Sequence, residues 1–234
     1  MKMQIIVIQI VVSFCFASTA CATTVIPLNL AQMTELAEKA FVVRIDSVES
    51  SVTQGYAHDI IRGTIVEPVF GDVVTSESIT WRQFKFAANR PVQGMPTYQA
   101  GKEYMIFLSG EASATRFQMP VGMQQGAFDV LRNRGTGAAL VRNSMGNMTL
   151  GAGLNVSAVA QDLAVQESLT GLLRGVEPGA RAAELQQKLR PMRNGNSLDA
   201  IRDAARFFYE QKQRGKSPSA DYETSGAAQA RRPL

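Results

Sequence analysis

Thiol and imidazole chemistry are nearly missing from this 234-residue chain, which has two cysteines and one histidine. The cysteines, Cys15 and Cys21, both fall in the first 22 residues. Lys2 gives that stretch a positive start, Ile5 to Phe16 form a short apolar run, and Ala20-Cys21-Ala22 is a small-x-small cleavage site. This is the layout of a secretory signal peptide. A chain cut there starts near Thr23 without a thiol, so it is expected to use no disulfide even in a compartment that permits them. Two alternatives remain open. Cys21 as a lipidated residue would want a Leu-like residue three positions earlier, where Ser18 stands. A retained anchor would want roughly 20 apolar residues, and the run is shorter and carries Gln9.

Other absences exclude further classes. No later segment is apolar for long enough to span a membrane as a helix. The net charge is only +4, and no Lys/Arg cluster forms before the tail. No nucleic-acid partner is therefore expected. A lone histidine, His58, cannot supply a His-rich metal site, and no catalytic triad is expected around it. It is expected to be an exposed residue at a strand start. Serine with lysine as base is the remaining hydrolytic option, and Ser76 and Ser78 lie near Lys85 only in sequence. Asp46, Glu49, Glu67 and Asp72 are expected to be solvated surface acids. Six methionines lie between 95 and 148, but they lack the close Met-x-Met repetition of a copper(I) site. No catalytic residue, metal or cofactor is expected.

What is present is pattern. Asn29 followed by Gln32 forms a capping box, with Leu28 and Met33 at the staple positions, so a short helix is expected over 28–40. Alternation from Val43 onward predicts a strand over 41–49. Further strands are expected over 60–70, 78–84, 103–108 and 126–131, with a hairpin return over 138–142. Pro68 restricts the strand over 60–70, and the most apolar strand, 103–108, is expected to be central. A long loop joins 87 to 102. Helices are expected over 165–173, 180–189 and 197–213. The last is capped by Ser197 and carries Leu198, Ile201, Ala205 and Phe208 as its buried stripe. Residues 215–234 lack any period and read as a disordered tail.

Trp81 and Phe107 are embedded in strands and read as core. Phe86 and Tyr98 flank the long loop and read as ligand-binding aromatics, with Met95 as an adaptable apolar neighbour. Gln124 and Gln125 sit in the Gly122-x-x-Gln-Gly126 turn. They are candidates to bind a ligand, or else to hydrogen-bond a neighbouring loop and fix it.

Four segments resemble a group of small exported bacterial proteins of uncharacterised function. They are Thr24-Val25-Ile26-Pro27-Leu28, Phe41-Val42-Val43-Arg44-Ile45-Asp46-Ser47-Val48, Gly101 to Leu108 with Pro96 before it, and Gly122 to Val130. The helix-then-meander order is also similar to netrin-like domains, the oligomer-binding barrel type of the tissue metalloprotease inhibitors. Those domains use N-terminal cysteines, which the cut chain lacks, and the resemblance carries over no catalytic residue.

The expected fold is mainly β with flanking helices (α+β): a small OB-like or netrin-like antiparallel β-barrel over 23–150, a helical C-terminal extension over 151–214 and the tail. The expected role is non-enzymatic: an exported protein, periplasmic or extracellular, that binds a protein or peptide. One alternative is a cell-envelope assembly component docking through its C-terminal helix. The other is an atypical hydrolase.

Overall fold

The computed structural model describes residues 26–53, 55–85, 94–133, 135–151, 187 and 195–215. The leader, Phe86, the helix expected over 165–173, nearly all of that over 180–189, and the tail lie outside the described residues.

Helix α1 is Leu30–Leu36. Its capping box is complete: Gln32 N donates to Asn29 Oδ1 at 2.9 Å, and Asn29 N donates to Gln32 Oε1 at 3.0 Å. The helix stops sooner than its alanine spacing implies. Ala37 turns extended and Ala40 already pairs with Phe70 and Phe107 in a ladder. Tertiary pairing overrides the helix preference of alanine here.

Seven strands follow: β1 (Lys39–Thr53), β2 (Tyr56–Phe70), β3 (Ser78–Phe84), β4 (Glu103–Leu108), β5 (Ala127–Arg132), β6 (Ala139–Asn143) and β7 (Asn196–Ser197). They form one antiparallel sheet in the order β3-β2-β1-β4-β5-β6-β7. β4 is the middle strand. Pro68 of β2 lies beyond the stretch that β3 pairs, which ends at Thr64, so its missing N–H costs no outer bond. The ladder runs from β3 to β7 and does not close on itself, so the class is β-rich α+β with an open strand order.

Helix α2 (Leu198–Gln213) contributes Leu198, Ile201, Ala204, Ala205 and Phe208 to the same core as α1 and one sheet face. Ser197 stands at the N-cap, yet its side chain makes no capping bond. Basic residues anchor the helix instead. Lys212 Nζ donates to Glu35 O at 2.7 Å and Ala37 O at 3.0 Å, where the carbonyls of α1 run out of helical partners. Arg206 donates to the carbonyls of Val69 and Pro68, and Arg202 to Glu67 at 2.7 Å.

The sheet has a core on each face because β1 and β4 alternate. Ala40, Val42, Met105 and Phe107 face the helices, with Phe128 and Val141. Phe41, Val43, Ile45, Tyr104, Ile106 and Leu108 face the other way, toward Ile61, Ile65 and Trp81. Burying each of the larger side chains is worth about 1.5–3 kcal/mol. Three register shifts interrupt the pairing of β1 with β2. At Gly63 the strands come so close that a Cβ would stand 2.5 Å from a methyl of Val43 and 2.7 Å from Arg44 O. Bulges and close approaches of this kind bend a sheet.

His58 corrects the sequence expectation: it is buried, with its ring 5.5 Å from that of Phe117 and Nδ1 3.1 Å from Tyr56 O. It follows the buried Ala57, so two successive residues of β2 are covered, one from each face. Strict alternation does not foresee that.

Candidate functional site

The long loop and the glycine turn meet. Gln124 N donates to Gly94 O at 2.9 Å, and its Nε2 to Met95 O at 3.2 Å. Its Oε1 accepts from Ser144 Oγ at 2.7 Å. Gln125 is turned the other way. Its Oε1 accepts from Leu28 N at 2.7 Å and its Nε2 donates to Ile26 O at 3.0 Å. Both glutamines therefore bolt segments together, the loop-fixing role that their amides allowed. The two glycines serve different needs. Gly122 has φ +61°, and a Cβ there would stand 2.8 Å from Leu28. At Gly126 a Cβ would stand 2.4 Å from Val121 O, so close backbone approach is what demands glycine.

The 94–102 segment lies as a strap across the sheet face that bears Trp81. Gln83 Nε2 donates to Pro96 O at 2.8 Å, Gln99 N donates to the Tyr104 hydroxyl at 3.1 Å, and Gly101 N donates to Ile45 O at 2.8 Å. Met95 and Tyr98 point inward and are only 5% and 9% exposed. Tyr98, read from the sequence as a ligand-binding aromatic, is thus turned into the interior. Tyr98 is a plug, edge-on to Trp81 at 5.4 Å and to Tyr104 at 5.1 Å. Its aromatic neighbours reward burial more than water does. Phe86 lies outside the described residues, so the structure brings together Met95, Tyr98 and Gln124, with Gln125 bonded to the other side of the same turn.

Beneath the strap, three buried polar atoms have no hydrogen-bond partner among the described residues: Trp81 Nε1, Gln83 Oε1 and the Tyr98 hydroxyl. They are a donor, an acceptor and a group that does either. Each costs about 1–3 kcal/mol when left unmet. Burial, and then the nearby Tyr104, push the Tyr98 phenol well above its ordinary pKa. Tyr104 is also raised, first by burial and then by Asp129, against a lowering by the Gln99 N–H. Both hydroxyls keep their protons. Gln83 was missed by sequence reasoning, although a glutamine on the Trp81 face of an alternating strand is a readable signal. Among the described residues, Gln211 of α2 is the other buried side chain with unmet polar atoms, and it lies in the helix-side layer.

At the rim of this face Lys85 Nζ stands 2.8 Å from Asp59 and 3.0 Å from Ser50 Oγ, which itself donates to Asp59 at 2.8 Å. Lysine thus meets Ser50, not Ser76 or Ser78. The serine proton is directed to the carboxylate and the lysine is a donor, the reverse of what a serine–lysine nucleophile needs. Among the described residues, no three His, Cys, Asp or Glu side chains gather as a metal site.

Comparison with protein-family profiles, curated proteins and solved structures finds no match to this chain.

Proposed function

We propose that this chain is an exported, non-enzymatic module that binds a protein or peptide at the strap and the turn it rests on. The observation that carries this reading is the set of unmet groups on Trp81, Gln83 and Tyr98. A peptide backbone offers both the N–H and the C=O that such a set takes up. Buried polar atoms without partners are costly, and sites that keep them tend to have a use for them. Gly94 and Gly101, at φ +84° and +80°, bracket the strap and supply the turns about which it would lift.

Export is supported by the leader-like opening, and membership of the exported bacterial group by the four resembling segments. The barrel reading also has support. The 117–121 segment runs beside β4, with Val121 N bonded to Phe107 O and Ser109 N to Met119 O. Gln118 N then donates to Arg82 O of β3 at 3.0 Å. That bond, and the Phe117 ring against Phe84 and His58, bring β3 back toward β4 around the Trp81 core. We read this as a small oligomer-binding-type or netrin-like barrel, closed along one seam by a single strand-like segment. Docking through Leu198, Ile201 and Phe208 has less support, because that stripe packs on the chain's own sheet.

Trp81 is the chain's one tryptophan, so its emission reports on the site. Proteins captured from an envelope extract would be purified and titrated against the wild type, Tyr98→Phe and Gln83→Leu. The expected result is a shift in Trp81 emission with the wild type and weaker binding by both variants. A partner that both variants hold as tightly as the wild type would count against this site.

A further inference from the structure

β1 outruns its neighbour. β4 pairs with it only from Lys39 to Arg44, and Gly101 and Lys102 take up Ile45. Over 47–53 the strand keeps β2 on one side, while on the other it makes no backbone hydrogen bond among the described residues. Proteins blunt such edges with lysine, proline, bulges or a covering segment. The stretch reads Ser-Val-Glu-Ser-Ser-Val-Thr, with neither lysine nor proline. The register shift of β1 falls ahead of it, between Ile45 and Ser47. Its one charged residue, Glu49, is ion-paired with Arg62 of β2. Val48 and Val52 stand 37% and 61% exposed on one face of the strand.

We propose that this edge pairs antiparallel with the same edge of a second copy, about a two-fold axis through Ser50. The stretch is close to palindromic about that residue. Ser47 then faces Thr53, Val48 faces Val52 and Glu49 faces Ser51 of the other copy. Each exposed valine acquires a valine partner, and no like charges stand directly opposite. The interface is isologous, so it closes at two chains rather than growing into a fibre. It continues the sheet as β2-β1-β1-β2 across the pair. The edge begins two residues past Ile45, where the strap bonds β1, and the inference does not rest on the binding reading.

Sedimentation velocity of the purified protein over a range of concentrations tests it, with two double variants. V48K/V52K sets lysine against lysine at both valine contacts and is expected to weaken the dimer at least tenfold. V48K/V52E sets lysine against glutamate at both and is expected to restore it. That rescue arises only in the register centred on Ser50. Hydrogen exchange should show the 47–53 amides protected in the wild type at high concentration and exposed in V48K/V52K. A wild type that stays monomeric throughout overturns the proposal, including the case where those amides become protected only on adding a different protein. So does a dimer that V48K/V52K leaves intact, or one that V48K/V52E fails to restore.

Discussion

Two buried polar clusters among the described residues are treated in opposite ways. On the helix side, Asn143, Asn147 and Asn196 are fully enclosed. Asn147 Oδ1 accepts from Asn143 N at 2.8 Å, and its Nδ2 donates to Val141 O at 2.8 Å and Asn196 Oδ1 at 2.9 Å. Asn143 Oδ1 accepts from Asn147 N and Met145 N, and its Nδ2 donates to Gln125 O. The network ties β6, the turn after it and β7 into one unit. Under the strap, Trp81, Gln83 and Tyr98 are buried too, but each leaves a polar atom without a partner among the described residues. A satisfied network holds a fold together. An unsatisfied one lowers stability, and a protein that retains it gains something other than stability.

The sharpest way to test this contrast is to cut the asparagine cluster. Asn147→Ala removes the acceptor for Asn143 N and the donors to Val141 and Asn196, and is expected to destabilise by about 3 kcal/mol in urea unfolding. A loss near zero would mean that the network is not structural. Tyr98→Phe should act in the opposite sense. It deletes a buried hydroxyl that has no partner and is expected to raise stability by about 1 kcal/mol, while weakening binding at the strap. A loss of stability from this change would show that the hydroxyl is satisfied in solution, and the contrast would fail.

The smallest effect is one of pH. Burial holds the Tyr98 and Tyr104 phenols protonated above their ordinary value of 10.0. The unfolded chain releases those protons first, so the folded state binds more protons above that point. Stability from this source is whole below about pH 10 and is lost as pH rises toward the folded values. Unfolding curves between pH 8 and 11 should show that decline, and Tyr98→Phe should flatten it. An unchanged decline in the variant would move its origin elsewhere.

How much of this was legible depended on how local each cause is. The bounds of β3 and β4 follow from alternation and turn residues, and the capping box of α1 was readable from Asn29 and Gln32 alone. The stripe of α2 was readable from helical spacing. The inward turn of Met95 and Tyr98 was not, because a loop's burial depends on which sheet face it crosses. Nor was the meeting of Ser50 with Lys85, which the register of β1 on β2 and of β2 on β3 decides. His58 was misjudged for the same reason, since Phe117 reaches it from 59 residues away. Trp81 was read correctly as core. That its indole N–H lacks a partner is a property of the assembled interior.

The contact of α1 with α2 has a consequence for how the chain is made. Lys212 closes the end of α1 on carbonyls 175 and 177 residues earlier in the chain. Leu30 and Met33 of α1 share their core with Phe70 and Phe107 of the sheet and with α2, so that core stays incomplete until α2 has been synthesised. Contacts this distant in sequence are slow to form. A half-made chain cannot complete its interior, and it stays pliable for as long as it is being elongated.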